Sequence, residues 1–195
     1  MESQTYVFFG IAGSGKGTQL ALLTDLLEVR SGKECVYAYP GGEFRKIVES
    51  RNYTASLIKE SLNRGELQPD FLTTSIFTNV LLSSLTPEKH FIADGYPRSI
   101  NQSESFEAMM RFYKREQVKM IYIEVGRQEA MKRNLLRARP DDTEESIQKR
   151  FNEYTNNVVP AMEYFKGKLG YEIYKINGEQ SVEDVHKDIK NALDL

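Results

Sequence analysis

A chain of 195 residues, with 40% hydrophobic and 28% charged side chains, is long enough for one soluble domain with a substantial core. The formal net charge of −2 does not suggest a surface for nucleic acid or membranes, and no apolar run approaches the roughly 20 residues of a membrane span. The single cysteine, Cys35, excludes an internal disulfide and argues against a cysteine-based zinc site. The N-terminus lacks a signal-peptide pattern, so we expect a cytoplasmic monomer that binds neither nucleic acid nor membrane.

The apolar periodicity predicts strands that alternate with helices along the whole chain. The predicted strands cover residues 6–9, 35–39, 90–93, 120–125 and 171–176. The predicted helices cover residues 19–29, 43–50, 55–64, 70–85, 101–116, 128–138, 142–168 and 181–195. We also expect Pro40-Gly41-Gly42 to close the second strand, and we predict a capping box formed by Asp142 and Glu145 and a helix kink at Pro160. This alternation favours a single α/β domain whose parallel sheet is covered by helices on both faces.

The segment after the first predicted strand is rich in glycine. Gly10, Gly15 and Lys16 have the spacing of a phosphate-binding P-loop and lie between a strand and a helix, as that motif requires. Glycines let backbone N–H groups approach phosphate oxygens, the helix N-terminus adds a positive dipole end, and Lys16 adds a positive charge. Gly17 replaces the usual Ser or Thr, so the hydroxyl comes one residue later, at Thr18. The alternative is a chance glycine-rich turn, against which the strand–loop–helix context argues.

Two further charged residues follow a predicted strand. Asp94 comes directly after the strand at 90–93, and Arg98 lies four residues later. The carboxyl ends of parallel strands share one edge of the sheet, so both residues are expected to face the P-loop. There Asp94 can orient Mg²⁺ or its waters, and the planar fork of Arg98 suits bidentate contact with a phosphate. The alternatives are a helix-capping aspartate and a surface arginine.

Four arginines are concentrated in the last third of the chain. Arg133 and Arg137 are four residues apart and share a helix face, while Arg139 and Arg150 flank the next helix start. Alone, such a group is usually a solvated surface. Phosphoryl transfer depends mainly on cations around the migrating group, so beside a P-loop these arginines indicate a catalytic cluster. The Asp-Asp pair at 141–142 could orient them, form a hinge or cap a helix. The chain lacks the Asn-Lys-x-Asp motif of GTPases.

Together these segments resemble the adenylate kinase family of nucleoside monophosphate kinases, and the resemblance runs almost from end to end. The matching motifs are Gly-Ser-Gly-Lys-Gly-Thr-Gln at 13–19, Gly-Glu-Leu at 65–67 with Pro69, Asp-Gly-Tyr-Pro-Arg at 94–98 with Gln102, and Arg-Pro-Asp-Asp at 139–142 with Arg150. The glycine after Lys16, which a generic P-loop motif would not permit, is part of the family pattern.

The resemblance implies a fold and an activity. The fold would be a three-layer P-loop domain with a five-stranded parallel sheet, spanning 1–195 as one kinase domain. Its core would comprise 1–39, 70–133 and 143–195, with a helical monophosphate-binding segment at 40–69 and a short lid at 134–142. The activity would be reversible transfer of the terminal phosphoryl group of ATP to AMP, with Mg²⁺ and without zinc.

The resemblance also implies roles for individual residues. The catalytic residues would be Lys16, Arg98, Arg137, Arg139 and Arg150. ATP would be bound by Gly13, Ser14, Gly15, Lys16, Gly17, Thr18 and Arg133. The monophosphate would be bound by Pro40, Gly41, Arg45, Gly95, Arg98 and Gln102, the last reading the adenine. Asp94 would hold the metal through water.

One departure from the family pattern leaves the acceptor open. Pro40 stands where the family usually has a threonine that approaches the adenine, and the resulting Pro-Gly-Gly resembles thymidylate kinases. Gln102 favours AMP, because pyrimidine-specific relatives resemble a pattern with Asn there. The alternatives are dTMP, UMP or CMP as acceptor, or a nucleotide-binding regulator that has lost catalysis. The presence of Lys16 and the arginines argues against the regulator.

Overall fold

The computed structural model describes residues 2–137 and 142–195. Its strands are β1 (Thr5–Phe9), β2 (Val36–Ala38), β3 (Phe91–Asp94), β4 (Val118–Glu124) and β5 (Tyr171–Asn177). They form one sheet in the order β2-β3-β1-β4-β5, in which every neighbouring pair is parallel. The predicted α/β fold with a five-stranded parallel sheet is therefore confirmed.

The helices fill the connections between the strands. They are α1 (Lys16–Ser31), α2 (Pro40–Glu49), α3 (Tyr53–Asn63), α4 (Asp70–Ser84), α5 (Ile100–Phe112), α6 (Arg127–Arg137), α7 (Glu144–Glu153), α8 (Val159–Glu163) and α9 (Val182–Ala192). A π-helical turn, Tyr154–Val158, joins α7 to α8. Within the described ranges, none of the helices is both long and apolar enough to cross a membrane.

The central strand β1 is completely buried, and its side chains alternate between two cores. Tyr6 and Phe8 belong to the core between the sheet and helices α1 and α9. Val7 and Phe9 belong to the core between the sheet and helices α4 and α5. This two-sided burial explains why β1 consists of consecutive apolar residues instead of alternating polar and apolar ones.

The carboxyl ends of β1 and β3 form the edge at which the candidate site lies. Phe8 is paired in register with Asp94, so Asp94 lies level with the end of β1. Gly10 begins the P-loop directly beyond that end, and α1 starts at Lys16. Ligands of open α/β sheets bind at such an edge, which agrees with the placement expected from the sequence.

Residues 40–42, expected to close the second strand ahead of a helix at 43, form the first turn of α2 instead. Proline is tolerated at the first position of a helix, where its missing N–H has no intrahelical partner. A Cβ at Gly41 would lie 2.9 Å from Tyr39 Cε2, and one at Gly42 would lie 2.7 Å from Tyr39 Cδ1. The two glycines therefore let the Tyr39 ring pack directly on the helix backbone.

The predicted helix over 142–168 is shorter and differently built. The capping box is formed by Thr143 and Ser146, not by Asp142 and Glu145, and the helical run ends at Glu163. The expected break is the π-helical turn Tyr154–Val158, which lies before Pro160. Because Pro160 has no N–H, it leaves the carbonyl four residues earlier without its usual bond, and a wider turn accommodates this.

Candidate active site

A cavity of about 590 Å³ opens at the carboxyl edge of the sheet. Its lining includes every site residue that the sequence predicted within the described ranges. These are Gly13, Ser14, Gly15, Lys16, Gly17, Thr18, Pro40, Gly41, Arg45, Asp94, Gly95, Arg98, Gln102, Arg133, Arg137 and Arg150. The remaining predicted residue, Arg139, lies outside the described residues. The fold thus brings together side chains from five separated stretches of the chain.

The P-loop has the backbone shape that its glycines predict. Gly13 and Gly15 have φ values of 86° and 89°, which glycine adopts at little cost. A Cβ at Gly13 would lie 2.5 Å from the Ala130 carbonyl oxygen, so the loop packs tightly against α6. Gly15 caps α1 without a side-chain hydrogen bond, and the first-turn N–H groups of Gly17 and Thr18 have no intrahelical acceptors. These groups are suited to bind an anion.

Lys16 extends over the inside of the P-loop. Its Nζ donates to the carbonyl oxygen of Gly10 and contacts the Ile11 carbonyl oxygen at 3.2 Å and Ser14 Oγ at 3.5 Å. A phosphate in the loop would therefore meet a cation next to the backbone donors.

Asp94 has a partner that the sequence analysis did not identify. The Tyr37 hydroxyl donates to Asp94 Oδ2 at 2.9 Å, and Asp94 is only 7% exposed. Burial and the neighbouring charge of Asp94 raise the pKa of Tyr37 above its ordinary value, so the phenol remains a donor. The only feature of the sequence that could have indicated Tyr37 is its position in a predicted strand that ends at the same edge of the sheet as Asp94.

Arg98 is held with its guanidinium in the cavity. Its Nε donates to the Gly95 carbonyl oxygen at 2.7 Å. Gly95 has a φ of 68°, and a Cβ there would lie 2.4 Å from Arg98 Nη2, so another residue would strain the backbone and displace the guanidinium. Burial lowers the pKa of Arg98, while the nearby Asp94 partly opposes this effect; the group still carries a charge, because guanidinium is not deprotonated in proteins.

Arg45 is oriented from the start of α2. Its Nη1 donates to the Tyr39 hydroxyl at 2.8 Å and to the Gly41 carbonyl oxygen at 2.9 Å. Tyr39 was not predicted as a site residue. The glycine pair that follows Pro40 could have indicated it, since consecutive glycines often allow a close approach of another group.

Gln102 uses both ends of its carboxamide within the protein. Oε1 accepts from the backbone N–H of Arg98 at 2.8 Å, and Nε2 donates to Asp70 Oδ1 at 2.7 Å. The residue is 3% exposed, and its neighbours place it on the same side of the cavity as Arg98. Asp70 was not expected at the site.

On the opposite side of the cavity, Arg133 and Asn134 connect α6 to neighbouring segments. Arg133 donates to Glu129 Oε1 at 2.8 Å and to the Gly178 carbonyl oxygen at 2.9 Å. Asn134 is completely buried; its Nδ2 donates to the Ala12 carbonyl oxygen at 2.8 Å. Its Oδ1 accepts from Arg137 Nη2 at 2.6 Å. Asn134 therefore links the P-loop directly to one of the predicted catalytic arginines.

Asp142 joins two arginines of the cluster, Arg137 and Arg150. Its Oδ2 accepts from Arg137 Nη2 at 2.9 Å, and its Oδ1 accepts from Arg150 Nη1 at 2.8 Å. The Asp142 side chain is fully buried, whereas the Arg137 side chain is 34% exposed. Of the roles considered for the Asp-Asp pair, orientation of the arginines is the one that Asp142 performs.

Comparison with known proteins gives a family for this site. The family model described as adenylate kinase matches residues 8–169. The chain is 29% identical to an adenylate kinase of Thermosipho africanus, covering 96% of this chain and 98% of that protein. It is 30% identical to one of Prochlorococcus marinus, covering 96% and 97%. It is 31% identical to one of Bacteroides fragilis, also covering 96% and 97%.

Proposed function

The chain belongs to the adenylate kinase family and is a nucleoside monophosphate kinase; from this premise we propose that it transfers phosphoryl groups between ATP and AMP. In this reaction an oxygen of the AMP phosphate attacks the γ-phosphorus of ATP. The bond from that phosphorus to the β–γ bridging oxygen breaks, so ATP and AMP become two molecules of ADP. The reaction is reversible, because the bond made and the bond broken are of the same kind.

One observation carries this proposal: a single cavity contains a P-loop on one side and a second set of cationic and amide groups on the other. Lys16 and the first turn of α1 line the side expected to bind ATP. Arg45, Arg98 and Gln102 line the side expected to bind the monophosphate. Two nucleotides in these positions would have their phosphates facing each other, which is the geometry that in-line transfer needs.

The arginines between the two sides are proposed to stabilise the charge of the migrating group. Arg137 and Arg150 share the carboxylate of Asp142, and both line the cavity. Arg139 is proposed to act with them, on the basis of the family resemblance alone. A positioned arginine can be worth about 10³–10⁵ in rate in phosphoryl transfer. Arginine suits this role better than lysine, because its fork contacts two oxygens at once.

The residues at the site fit a bound Mg²⁺. This ion usually keeps several waters and binds through one or two carboxylates plus substrate phosphates. Asp94 supplies one buried carboxylate at the cavity, and Tyr37 occupies only one of its oxygens. When bound, the ion neutralises phosphate charge. In the described part of the chain, no group of three or more His, Cys, Asp or Glu could hold a metal by itself.

A second acceptor remains a candidate because of the start of α2. Pro40 offers neither a hydroxyl nor an N–H to a base. The Tyr39 hydroxyl accepts a hydrogen bond from Arg45. This surrounding differs from the family pattern and could admit dTMP, UMP or CMP.

The test is a coupled assay of diphosphate production against a panel of monophosphates. We expect AMP to give the highest kcat/KM, and a panel in which dTMP or UMP exceeds AMP would overturn the AMP assignment. Lys16→Met should lower kcat by about 10²-fold or more, since one positioned donor is worth that much in other sites. Lys33→Met, at an exposed lysine, is the matched control. Near-normal turnover by folded Lys16→Met would contradict the P-loop assignment.

A further inference from the structure

The carboxamide of Gln102 can point in only one way in this site. The backbone N–H of Arg98 is a donor, so the Gln102 atom that faces it must be Oε1. The Asp70 carboxylate is an acceptor, so the atom facing it must be Nε2. A flipped amide would place its oxygen against a carboxylate and its NH₂ against an N–H. Both contacts would then be repulsive, and Gln102 is only 3% exposed, so little water can compensate for them.

The fixed amide still has one donor and one acceptor to offer. Nε2 carries two hydrogens and Oε1 has two lone pairs, and the contacts with Asp70 and Arg98 use one of each. A base edge that complements this order has an acceptor to meet Nε2 and a donor to meet Oε1. Adenine has such an edge, with N1 as acceptor and the 6-amino group as donor. A 6-oxopurine has the reverse order, with a donor at N1 and an acceptor at O6.

We propose that Asp70 is a specificity-determining residue, which acts by holding the Gln102 carboxamide in the orientation that accepts a 6-aminopurine and rejects a 6-oxopurine. A mobile amide could flip and read either base, whereas a fixed one leaves two polar groups mismatched against the wrong base. The inference rests on the proposed function, because it places the acceptor base beside Gln102.

Asp70 is itself held in place by neighbouring residues. It is the first residue of α4, and its Oδ2 accepts from Ser99 Oγ at 2.8 Å. Ser99 in turn caps α5, the helix that carries Gln102. The carboxylate therefore connects the helix starts of α4 and α5 and presents its other oxygen, Oδ1, to Gln102. An asparagine at 70 could keep the size but offer either an oxygen or an NH₂, so it would lose this selectivity.

The experiment measures the affinities for AMP and IMP by equilibrium titration of the wild type, Asp70→Asn and Asn101→Ala. Asn101 contacts the same carboxylate oxygen as Ser99, at 3.4 Å, and is exposed, so its variant is the matched control. We expect the wild type to favour AMP and Asp70→Asn to reduce the AMP-to-IMP ratio by about tenfold or more, as a hydrogen bond to a charged group allows. The control should keep the wild-type ratio. The affinity for ATP should stay the same in all three proteins.

A purely structural role for Asp70 would weaken both monophosphates equally, so an unchanged ratio in Asp70→Asn would overturn the inference. A wild-type ratio near one would overturn it as well. Neither result depends on which acceptor is phosphorylated fastest, because the wild-type acceptor panel decides that separately. If dTMP or UMP proves the best acceptor while Asp70→Asn still loses its preference for AMP over IMP, the proposed function fails and the inference on Asp70 stands.

Discussion

Asp142 is the residue on which the orientation of the arginine cluster depends. Its carboxylate accepts from both Arg137 and Arg150. Asp142→Asn keeps the size of the side chain but removes the charge that both guanidinium groups share. We expect kcat to fall by about tenfold to a hundredfold, because a misplacement of about 1 Å can cost that much.

Steady-state kinetics of Asp142→Asn beside Glu144→Gln would check this expectation. Glu144 is an exposed carboxylate in the first turn of α7, so its variant controls for a general loss of negative charge. A kcat of Asp142→Asn within twofold of the wild type would show that the arginines do not need the shared carboxylate.

We expect His90 to make the stability of the fold depend on pH. The ring is 1% exposed, Nδ1 accepts from the Gln4 N–H at 3.1 Å, and burial, together with the positive charge of Arg115, lowers its pKa. Protonation would place a hydrogen on Nδ1 against that N–H. Because the folded-state pKa lies below the ordinary value of about 6.5, the contribution of neutral His90 to the stability of the fold is fully present above pH ~6.5. It is lost as the pH falls through the lower folded-state pKa.

Urea unfolding of the wild type and His90→Asn between pH 5 and 8 would measure this dependence. Asparagine keeps an acceptor for Gln4 but does not titrate, so the variant should lose less stability on acidification than the wild type. His186→Gln is the comparison at the second histidine, whose pKa burial also lowers but which is partly exposed. Equal acid slopes for the wild type and His90→Asn would contradict the assignment.

At the scale of the elements, we expect a glycine-to-alanine substitution at the start of α2 to change stability in the opposite direction to the usual one. Replacement of a helix glycine by alanine normally stabilises a protein by up to about 1 kcal/mol. At Gly42, however, the new Cβ would lie 2.7 Å from Tyr39 Cδ1. We expect Gly42→Ala to destabilise the fold by ~1–3 kcal/mol, as overpacking does.

A double-mutant cycle with Tyr39→Ala isolates the steric contribution of the ring. In the Tyr39→Ala background, Gly42→Ala should become neutral or stabilising, as judged by the free energy of unfolding. If Gly42→Ala is equally stabilising in both backgrounds, the ring does not limit this position.

The same elements show what periodicity can and cannot predict. The five strands and the P-loop were predictable, because short runs rich in apolar and aromatic residues, each followed closely by Gly or Pro, have few other interpretations. The start of α2 was not, because Pro-Gly-Gly is typical of a turn unless a ring such as that of Tyr39 packs on it. The predicted position of the capping box was wrong by one residue. Asp142 was expected to cap α7, but its carboxylate binds arginines, and Thr143 is the N-cap.

At the scale of the whole molecule, the site was predictable where it follows from strand ends. Asp94 and Arg98 were placed correctly, because parallel strands bring their carboxyl ends to one edge. The contacts that orient the site were not predictable. Tyr37 reaches Asp94 across 57 residues of chain, and Asn134 reaches Ala12 across 122. Such pairs depend on the packed arrangement of helices and strands, which no local pattern encodes.

We expect two segments to close over the cavity when nucleotides bind: the monophosphate-binding segment at 40–69 and the lid at 134–142, of which 138–141 lie outside the described residues. Gly65, within the first segment, already lies close to α7, which follows the second segment: a Cβ at Gly65 would lie 2.5 Å from the Ser146 carbonyl oxygen. Phosphoryl transfer must exclude water, and adenylate kinase lids are an established example of such closure. A bisubstrate analogue, two adenosines joined by a chain of phosphates, should therefore protect both segments from hydrogen exchange.

The analogue should also raise the thermal stability. At a hundredfold excess over its Kd it adds about 2.7 kcal/mol, which for a domain of this size corresponds to a rise in Tm of roughly 5–10 °C. Residues 187–192, at the end of α9 and away from the cavity, provide the internal control for exchange. A rise in Tm without protection of either segment would mean that the analogue binds to an already closed protein, and the proposed closure would be wrong. Protection of 40–69 and 134–142 alone, with the control unchanged, is the expected pattern.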